Sequence, residues 1–335
     1  MASHQPLAVS LGDPAGVGPE LIAAAWARRG DECLLPFFAV GGAKLLGSAA
    51  QSRGLHVPIV AISDAARATD VFADALPVLD AADCQWTPGA PSTEGARLAL
   101  QSLTEATHLA LSGAAGGIVT GPVAKARLAE IGFTQPGQTE FVADSCGVAR
   151  QDAVMMLAGP SLRTVPLTIH EALADVPGLL TTDLIVRRAR VVAKAMQRDF
   201  GLASPRLAVC GLNPHAGEEG RFGDEEARVI APAIATLRAE GIAVTGPHSA
   251  DTLFAPRERE TYDVALCMYH DQALIPIKAL DFDQGVNVTL GLPVVRTSPD
   301  HGTAFAIAGR NVADPGAMIA AIRMAGECAA RRAQG

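Results

Sequence analysis

Three histidines leave the ends of apolar runs in this chain. His170 follows RTVPLTI (163–169), His215 stands in Asn213-Pro214-His215 just after RLAVCG (206–211), and His270 with Asp271 follows DVALCMY (263–269). Neutral imidazole is the commonest nitrogen ligand, so three of them meeting at one point could hold a divalent cation and leave positions open for water or substrate. Their spacing matches no local metal motif, and three hydrogen-bonded polar residues at separate strand ends is the alternative. Two cations lie close by in sequence. Lys278, delivered by the run ALIPIK, could bind phosphate, could serve as an acid or base with a pKa lowered by desolvation, or could extend from a buried stem to solvent. Arg296, in LPVVRTSPDHGTA, is an anion clamp or a surface arginine. Asn287 lies within GVNVTL (285–290).

Two glycine-containing segments could meet a ligand through backbone N–H groups. SLGDPAGVGPELI (10–22) reads as strand, turn and helix, with Pro19 at the first helical position and Glu20 in the first turn. It is neither G-x-G-x-x-G nor a P-loop, so a structural βα turn and a ligand loop both stay open. TSPDHGTAFAIAGRNVADPGAM (297–318) reads as a long polar loop before a helix, and loops of this length in compact domains tend to be functional.

Positioning these residues requires a framework of short strands and longer helices. Apolar runs recur at LAVSL (7–11), PFFAV (36–40), VPIVAI (57–62), GIVTG (117–121) and AVMML (153–157), as well as in the runs before the histidines. Most are continuous rather than alternating, as expected of strands covered on both faces. Helical periodicity fills 182–200, 223–241 and 314–332, with Thr182 or Asp183 as a cap for the first, acidic residues 224–226 at the start of the second, and Gly201 and Gly241 as stops. This alternation predicts a largely parallel α/β architecture, in which chemistry sits beyond the carboxyl ends of the strands.

At 335 residues the chain is long enough for two domain-sized cores. A formal net charge of −8 argues against nucleic acid or an anionic membrane as partner, since both need a basic face. No apolar run reaches the ~18 residues of a membrane span, and MASHQPLAVS lacks the pattern of a signal peptide, so a cytoplasmic protein is expected. Six cysteines lie far apart with no C-x-x-C spacing, which favours buried reduced thiols over a zinc ribbon or redox motif.

Taken together, SLGDPAGVGPELI, GPVAKARL, PGQTEF, LNPHAGEEGRFGDEE, ADTLF, CMYHDQALIPIKAL and GVNVTLGLPVVRTSPDHGTAFAIAG, in that order, resemble the 4-hydroxythreonine-4-phosphate dehydrogenase family. More distantly, GDPAGVGPE and HGTAFAIAG resemble segments of isocitrate and isopropylmalate dehydrogenases. The resemblance implies a two-lobed α/β/α fold of the isocitrate/isopropylmalate dehydrogenase kind, with the active site in the interdomain cleft. It implies a nucleotide-binding lobe of about 1–130 plus 290–335 and a metal, substrate and dimerisation lobe of 131–289, in a homodimer with shared active sites.

By the same resemblance His170, His215 and His270 match metal ligands for Zn, Mg, Mn or Co. Gln138, Thr139, Lys278, Asn287 and Arg296 match substrate-binding residues, and His301, Gly302 and Thr303 correspond to the loop that contacts NAD or NADP. The implied reaction is oxidation of 4-phosphohydroxy-L-threonine, followed by decarboxylation, in pyridoxine phosphate biosynthesis. Lys278, Asp251 and Asp271 are the candidates for the base. Two positions depart from the family pattern. Gln138 replaces a histidine, and Ala306 stands where an aspartate is common. A dehydrogenase of 4-phospho-D-erythronate or threonate, or a non-catalytic phosphometabolite-binding protein, are the alternatives.

Overall fold

The computed structural model describes residues 5–79 and 82–334, so the first four residues of the N-terminal stretch MASHQPLAVS lie outside the described residues. In chain order the elements begin β1 (Leu7–Ser10), α1 (Gly18–Ala27), β2 (Phe37–Val40), α2 (Ala43–Ser52), β3 (Ile59–Ile62), α3 (Ala68–Val71), β4 (Leu76–Leu79) and α4 (Thr93–Leu111). They continue with β5 (Ile118–Thr120), α5 (Lys125–Glu130), α6 (Gln138–Ser145), β6 (Val154–Ala158), β7 (Arg163–Pro166), α7 (Val176–Leu179), α8 (Thr182–Arg198) and β8 (Leu207–Cys210). The last are α9 (Ala231–Ala239), β9 (Val244–His248), α10 (Ala250–Leu253), α11 (Pro256–Arg259), β10 (Val264–Cys267), α12 (His270–Asp281), β11 (Val286–Leu290), β12 (Arg296–Pro299) and α13 (Gly316–Arg332).

The chain divides into two compact units, Met1–Val148 with Leu292–Gly335, and Ala149–Gly291. The first therefore runs past residue 130, the boundary expected from sequence, and takes in α6 with Gln138 and Thr139. Its strands lie in the order β3-β4-β2-β1-β5-β12, all parallel. Their residues are mostly Leu, Ile, Val, Ala and Phe in short unbroken runs, and β1, β2, β4 and β5 are buried throughout. Burying each large side chain contributes about 1.5–3 kcal/mol, and continuous runs do this on both faces at once. Ser102 of α4 is a polar exception in this core. Its hydroxyl donates to Val40 O (2.7 Å) and accepts from Leu11 N (3.0 Å), which ties the exits of β1 and β2 together where the chain turns into the 12–18 loop.

The second unit has the order β11-β6-β7-β10-β8-β9. β6 is antiparallel to both β11 and β7, and the rest is parallel. The cap of α8 is Thr181, whose hydroxyl accepts from Leu184 N, rather than Thr182 or Asp183. Thr181 is extended (φ −127°, ψ 154°), which aims its side chain back at the free N–H groups; Thr182 is already inside the helix. Pro19 falls at the second position of α1, behind Gly18. The 223–241 segment opens as a π-helical turn, Glu226–Ile230, before α9. Three strands escaped the sequence reading. β4 and β9 contain proline, and β12 (Arg-Thr-Ser-Pro) is polar yet buried.

Candidate active site

In the second unit the register of β7 beside β10 sets two imidazoles together. Leu167 N donates to Cys267 O (2.7 Å) and the Thr168 hydroxyl donates to Met268 O (2.8 Å), so the two strand exits run side by side. The rings of His170 and His270 then lie with centroids 5.8 Å apart, tilted by 40°. Metal–nitrogen bonds of ~2.0–2.1 Å on either side of one ion, plus the ring radii, span about that distance. Nδ1 of His270 donates to Oδ1 of Asp271 at 2.7 Å, which leaves Nε2 free as the nitrogen that could ligate. Such carboxylate partners fix tautomer and ring orientation in metal sites. These two residues fit a divalent cation.

His215 stands elsewhere in the unit. Its Nδ1 is 4.0 Å from Oδ2 of Asp251, and its ring is 6.3 Å from that of Phe222. Among the described residues of a single chain, no group of three or more His, Cys, Asp or Glu side chains gathers on one point. His215 sits in a run, residues 215–219, that holds positive φ throughout. Glu226, buried, supports this turn. Its Oε1 accepts from Leu212 N and Asn213 N (2.8 Å each) and its Oε2 from Asn213 Nδ2 (3.0 Å). The left-handed run itself is held by Ala216 N on Asn213 O (3.1 Å) and Phe222 N on Gly217 O (3.2 Å).

Asp251 opens α10 and accepts from the Ser249 hydroxyl at 2.6 Å. That hydrogen bond, with a smaller contribution from nearby His215, holds its carboxyl below the usual range. Lys278 lies on α12, two turns beyond His270, with its Nζ 5.9 Å from the Phe282 ring centroid. Asn287 sits in β11 opposite Leu157, and its buried Oδ1 has no hydrogen-bond partner. Gln272 also bears on the site. Its Oε1 accepts from Met268 N (2.6 Å) and its Nε2 donates to Gly211 O (2.8 Å), so it pins the start of α12 to the exit of β8. The sequence marked Glu226 only as an acidic residue at a helix start and gave Gln272 no role, because each acts through backbone groups that only the fold brings beside it.

In the first unit, Arg296 opens β12 and is 3% exposed. Its guanidinium donates to the hydroxyls of Thr139 (3.2 Å) and Thr120 (2.8 Å). Burial pulls its pKa down to about 10, against the pull of Glu140, so it is charged at neutral pH. Gln138, at the start of α6, donates from Nε2 to Gly121 O (3.0 Å), while its buried Oε1 has no hydrogen-bond partner. The Gly121 carbonyl decides the orientation of that amide, since a flipped one would set oxygen against oxygen. Arg296, Thr139 and Gln138 thus share one neighbourhood at the exit of β5.

The glycines of the 12–18 turn are packed against protein. A Cβ on Gly12 (φ +70°) would lie 2.5 Å from Pro122 O, one on Gly18 2.4 Å from Leu11 O, and one on Gly16 2.7 Å from Thr303 O. Val17 N donates to Thr303 O at 3.0 Å. The turn therefore backs the segment with His301, Gly302 and Thr303. Here the side of Gly302 where a Cβ would stand is open, and His301 donates from Nδ1 to Gly302 O at 2.9 Å.

An α/β enzyme is the class that this fold and these strand exits define. A family model described as pyridoxal phosphate biosynthetic protein PdxA matches residues 33–325. A 4-hydroxythreonine-4-phosphate dehydrogenase of Erythrobacter litoralis (strain HTCC2594) is 64% identical over 330 residues, 98% of each chain. One from Zymomonas mobilis subsp. mobilis is 55% identical over 98% of this chain and 97% of its own. Among solved structures, a 4-hydroxythreonine-4-phosphate dehydrogenase from Klebsiella pneumoniae superposes with a TM-score of 0.87 at 36% identity, covering 98% of this chain and 99% of that one. The chain belongs to the PdxA family.

Proposed function

We propose that the protein catalyses the NAD(P)-dependent oxidation of 4-phosphohydroxy-L-threonine to 2-amino-3-oxo-4-phosphooxybutanoate, which loses CO2 to give 3-amino-2-oxopropyl phosphate on the route to pyridoxal phosphate. The observation that carries this is the 64% identity to a 4-hydroxythreonine-4-phosphate dehydrogenase over 98% of both chains. A likeness over 98% of each chain extends across both units.

The geometry suggests a division of labour. Arg296, with Thr139, offers a buried cation and a hydroxyl to the substrate phosphate, and charge-assisted hydrogen bonds of that kind fix orientation as well as affinity. The unmatched acceptors Gln138 Oε1 and Asn287 Oδ1 suit donors on the substrate. His170 and His270 would hold a divalent cation, Zn, Mg, Mn or Co, with Asp271 setting the His270 ring. Bound there, the cation would make the substrate alcohol more acidic and polarise the product ketone.

His215 completes the ligand set from a second subunit in this proposal, since one chain by itself does not bring it to the other two. A homodimer accords with the apolar surface of the second unit, where Leu173 (66%), Ile275 (65%) and Phe282 (72%) stand exposed. Asp271 is engaged with His270, so Lys278 or Asp251 is the group proposed to take the alcohol proton. A nicotinamide dinucleotide held by the loop carrying His301, Gly302 and Thr303 would accept the hydride from the carbon that bears the alcohol. Among the described residues no helix is long and apolar enough to cross a membrane, and a cytoplasmic enzyme is part of the proposal.

The test is turnover of 4-phosphohydroxythreonine with NAD or NADP, followed at the reduced-nicotinamide absorbance, with and without chelator. Chelator-sensitive reduction is expected. Absence of reduction with this substrate, but turnover of 4-phosphoerythronate, would move the assignment to that substrate.

A further inference from the structure

The 301–313 segment holds three left-handed residues, of which Ala304 is in a conformation that its side chain disfavours. Ala304 (φ +48°) and Asn311 (φ +57°) are left-handed along with Gly309 (φ +73°), and internal support is limited to turn bonds such as Ile307 N to Ala304 O and Arg310 N to Ile307 O. Left-handed residues other than glycine persist where their surroundings over-determine them. The surroundings here are two side chains from the opening helices of the fold.

Glu20, in the first turn of α1, is 1% exposed, and its Oε2 accepts from Gly309 N at 3.2 Å. Its Oε1 stands 3.7 Å from Nη1 of Arg53, an ionic contact too long to be a hydrogen bond. Arg53, at the end of α2 and only 10% exposed in its side chain, donates from Nη1 to Ala313 O at 3.0 Å. The pair therefore grips the segment at two points, a donor at 309 and an acceptor at 313. The Pro88 and Trp86 side chains close over Gly309, where a Cβ would meet Pro88 Cγ at 2.7 Å. Burial pushes the Glu20 carboxyl up, opposed by the Gly309 N–H and Arg53, so this carboxylate is held in a place that does not favour its charge. A buried charge kept at such a cost belongs with a structural demand on its partners.

We infer that Glu20 and Arg53 are positioning residues for the dinucleotide, stapling the 301–313 loop so that His301, Gly302 and Thr303 are presented in one conformation. This rests on the proposed role of that loop in binding NAD(P). Neither side chain touches the ligand. Both act through the backbone of 309 and 313, and Val17 N on Thr303 O carries the same restraint to the contact residues.

The experiment compares Glu20→Gln, Arg53→Met and Arg53→Lys with the unaltered protein, by steady-state kinetics and by hydrogen exchange of the ligand-free protein. Glu20→Gln keeps the shape and an acceptor for Gly309 but removes the charge facing Arg53. The expected result is a KM for dinucleotide raised roughly tenfold in Glu20→Gln and Arg53→Met, the order expected for losing one charge-assisted contact. The KM for the phosphorylated substrate should stay within about twofold, amide exchange in 301–313 should quicken, and Arg53→Lys should recover part of both effects. If Glu20→Gln does not fold, Arg53→Met carries the same comparison. Unchanged exchange in 301–313 overturns the staple, and faster exchange with an unmoved dinucleotide KM overturns its link to the cofactor. Failure of the proposed function would be visible separately, as absence of dinucleotide reduction by the unaltered protein.

Discussion

Nδ1 of His270 lies 2.7 Å from Oδ1 of Asp271, its immediate neighbour, at the first turn of α12. Adjacent residues rarely face each other inside a helix, and the pair meets because it stands at the helix start, where the strand exit leaves the side chains room. The bond commits Nδ1 as donor and frees Nε2. Replacing His270 with Ala should abolish metal-dependent dinucleotide reduction while the protein stays folded by circular dichroism. Asp271→Asn should weaken divalent-metal affinity by about 10- to 100-fold, the usual cost of losing such a partner. Titration calorimetry with the metal alone reads the effect, and an Asp271→Asn affinity equal to that of the unaltered protein would remove Asp271 from the site.

Arg296 is enclosed by Thr120 and Thr139 hydroxyls, and its pKa of about 10 leaves it charged through the neutral range. Arg296→Met should raise the KM for the phosphorylated substrate by about one to two powers of ten, from the loss of ~1.5–3 kcal/mol in charge-assisted hydrogen bonds. Because burial depresses the folded pKa to about 10, below the ordinary arginine value, the folded state releases this proton first. The stability penalty of the buried charge is thus complete below about pH 10 and fades as pH climbs past it. Substrate KM should accordingly be flat from pH 7 to about 9 and rise beyond about 10. A KM indifferent to Arg296→Met would exclude it from phosphate binding.

Gln138 donates to Gly121 O and leaves Oε1 without a partner. Gln138→Leu removes both groups and should raise substrate KM severalfold. Gln138→His can restore a donor toward Gly121 and adds a titrating ring, so its KM should gain a further pH dependence near the usual imidazole range of ~6.5, beyond that of the unaltered protein. Identical pH profiles for the two proteins would argue that position 138 does not meet the substrate.

Cys210 and Cys267 are neighbours across β8 and β10, with Sγ atoms 3.9 Å apart in a fully buried setting. Burial and the proximity of Cys210 push the Cys267 thiol well up, away from the reactive thiolate. Under native conditions a thiol reagent should reach the exposed Cys33 and leave this pair unmodified until unfolding. Mass spectrometry of alkylated peptides checks this, and early labelling of Cys267 would mean that the strand exits open.

The amino-acid sequence alone was enough for the architecture and for the residue types at the strand exits. Continuous runs such as LAVS and VALC suit strands buried on both faces, and the residues just past the carboxyl ends of such strands are where chemistry collects in an α/β fold. It could not show that His170 and His270 stand together while His215 does not, because that depends on the register of β7 against β10 and on a left-handed turn buttressed by Glu226. Nor could it show that the polar stretch Arg-Thr-Ser-Pro is a buried strand, that the Arg296 guanidinium donates to the Thr139 and Thr120 hydroxyls, or that Glu20 and Arg53 grip a loop hundreds of residues away. Local pattern records which side of a strand or helix is apolar. Which distant backbone N–H or carbonyl a buried polar side chain must satisfy is decided only when the elements pack, since that partner comes from whatever part of the chain arrives beside it.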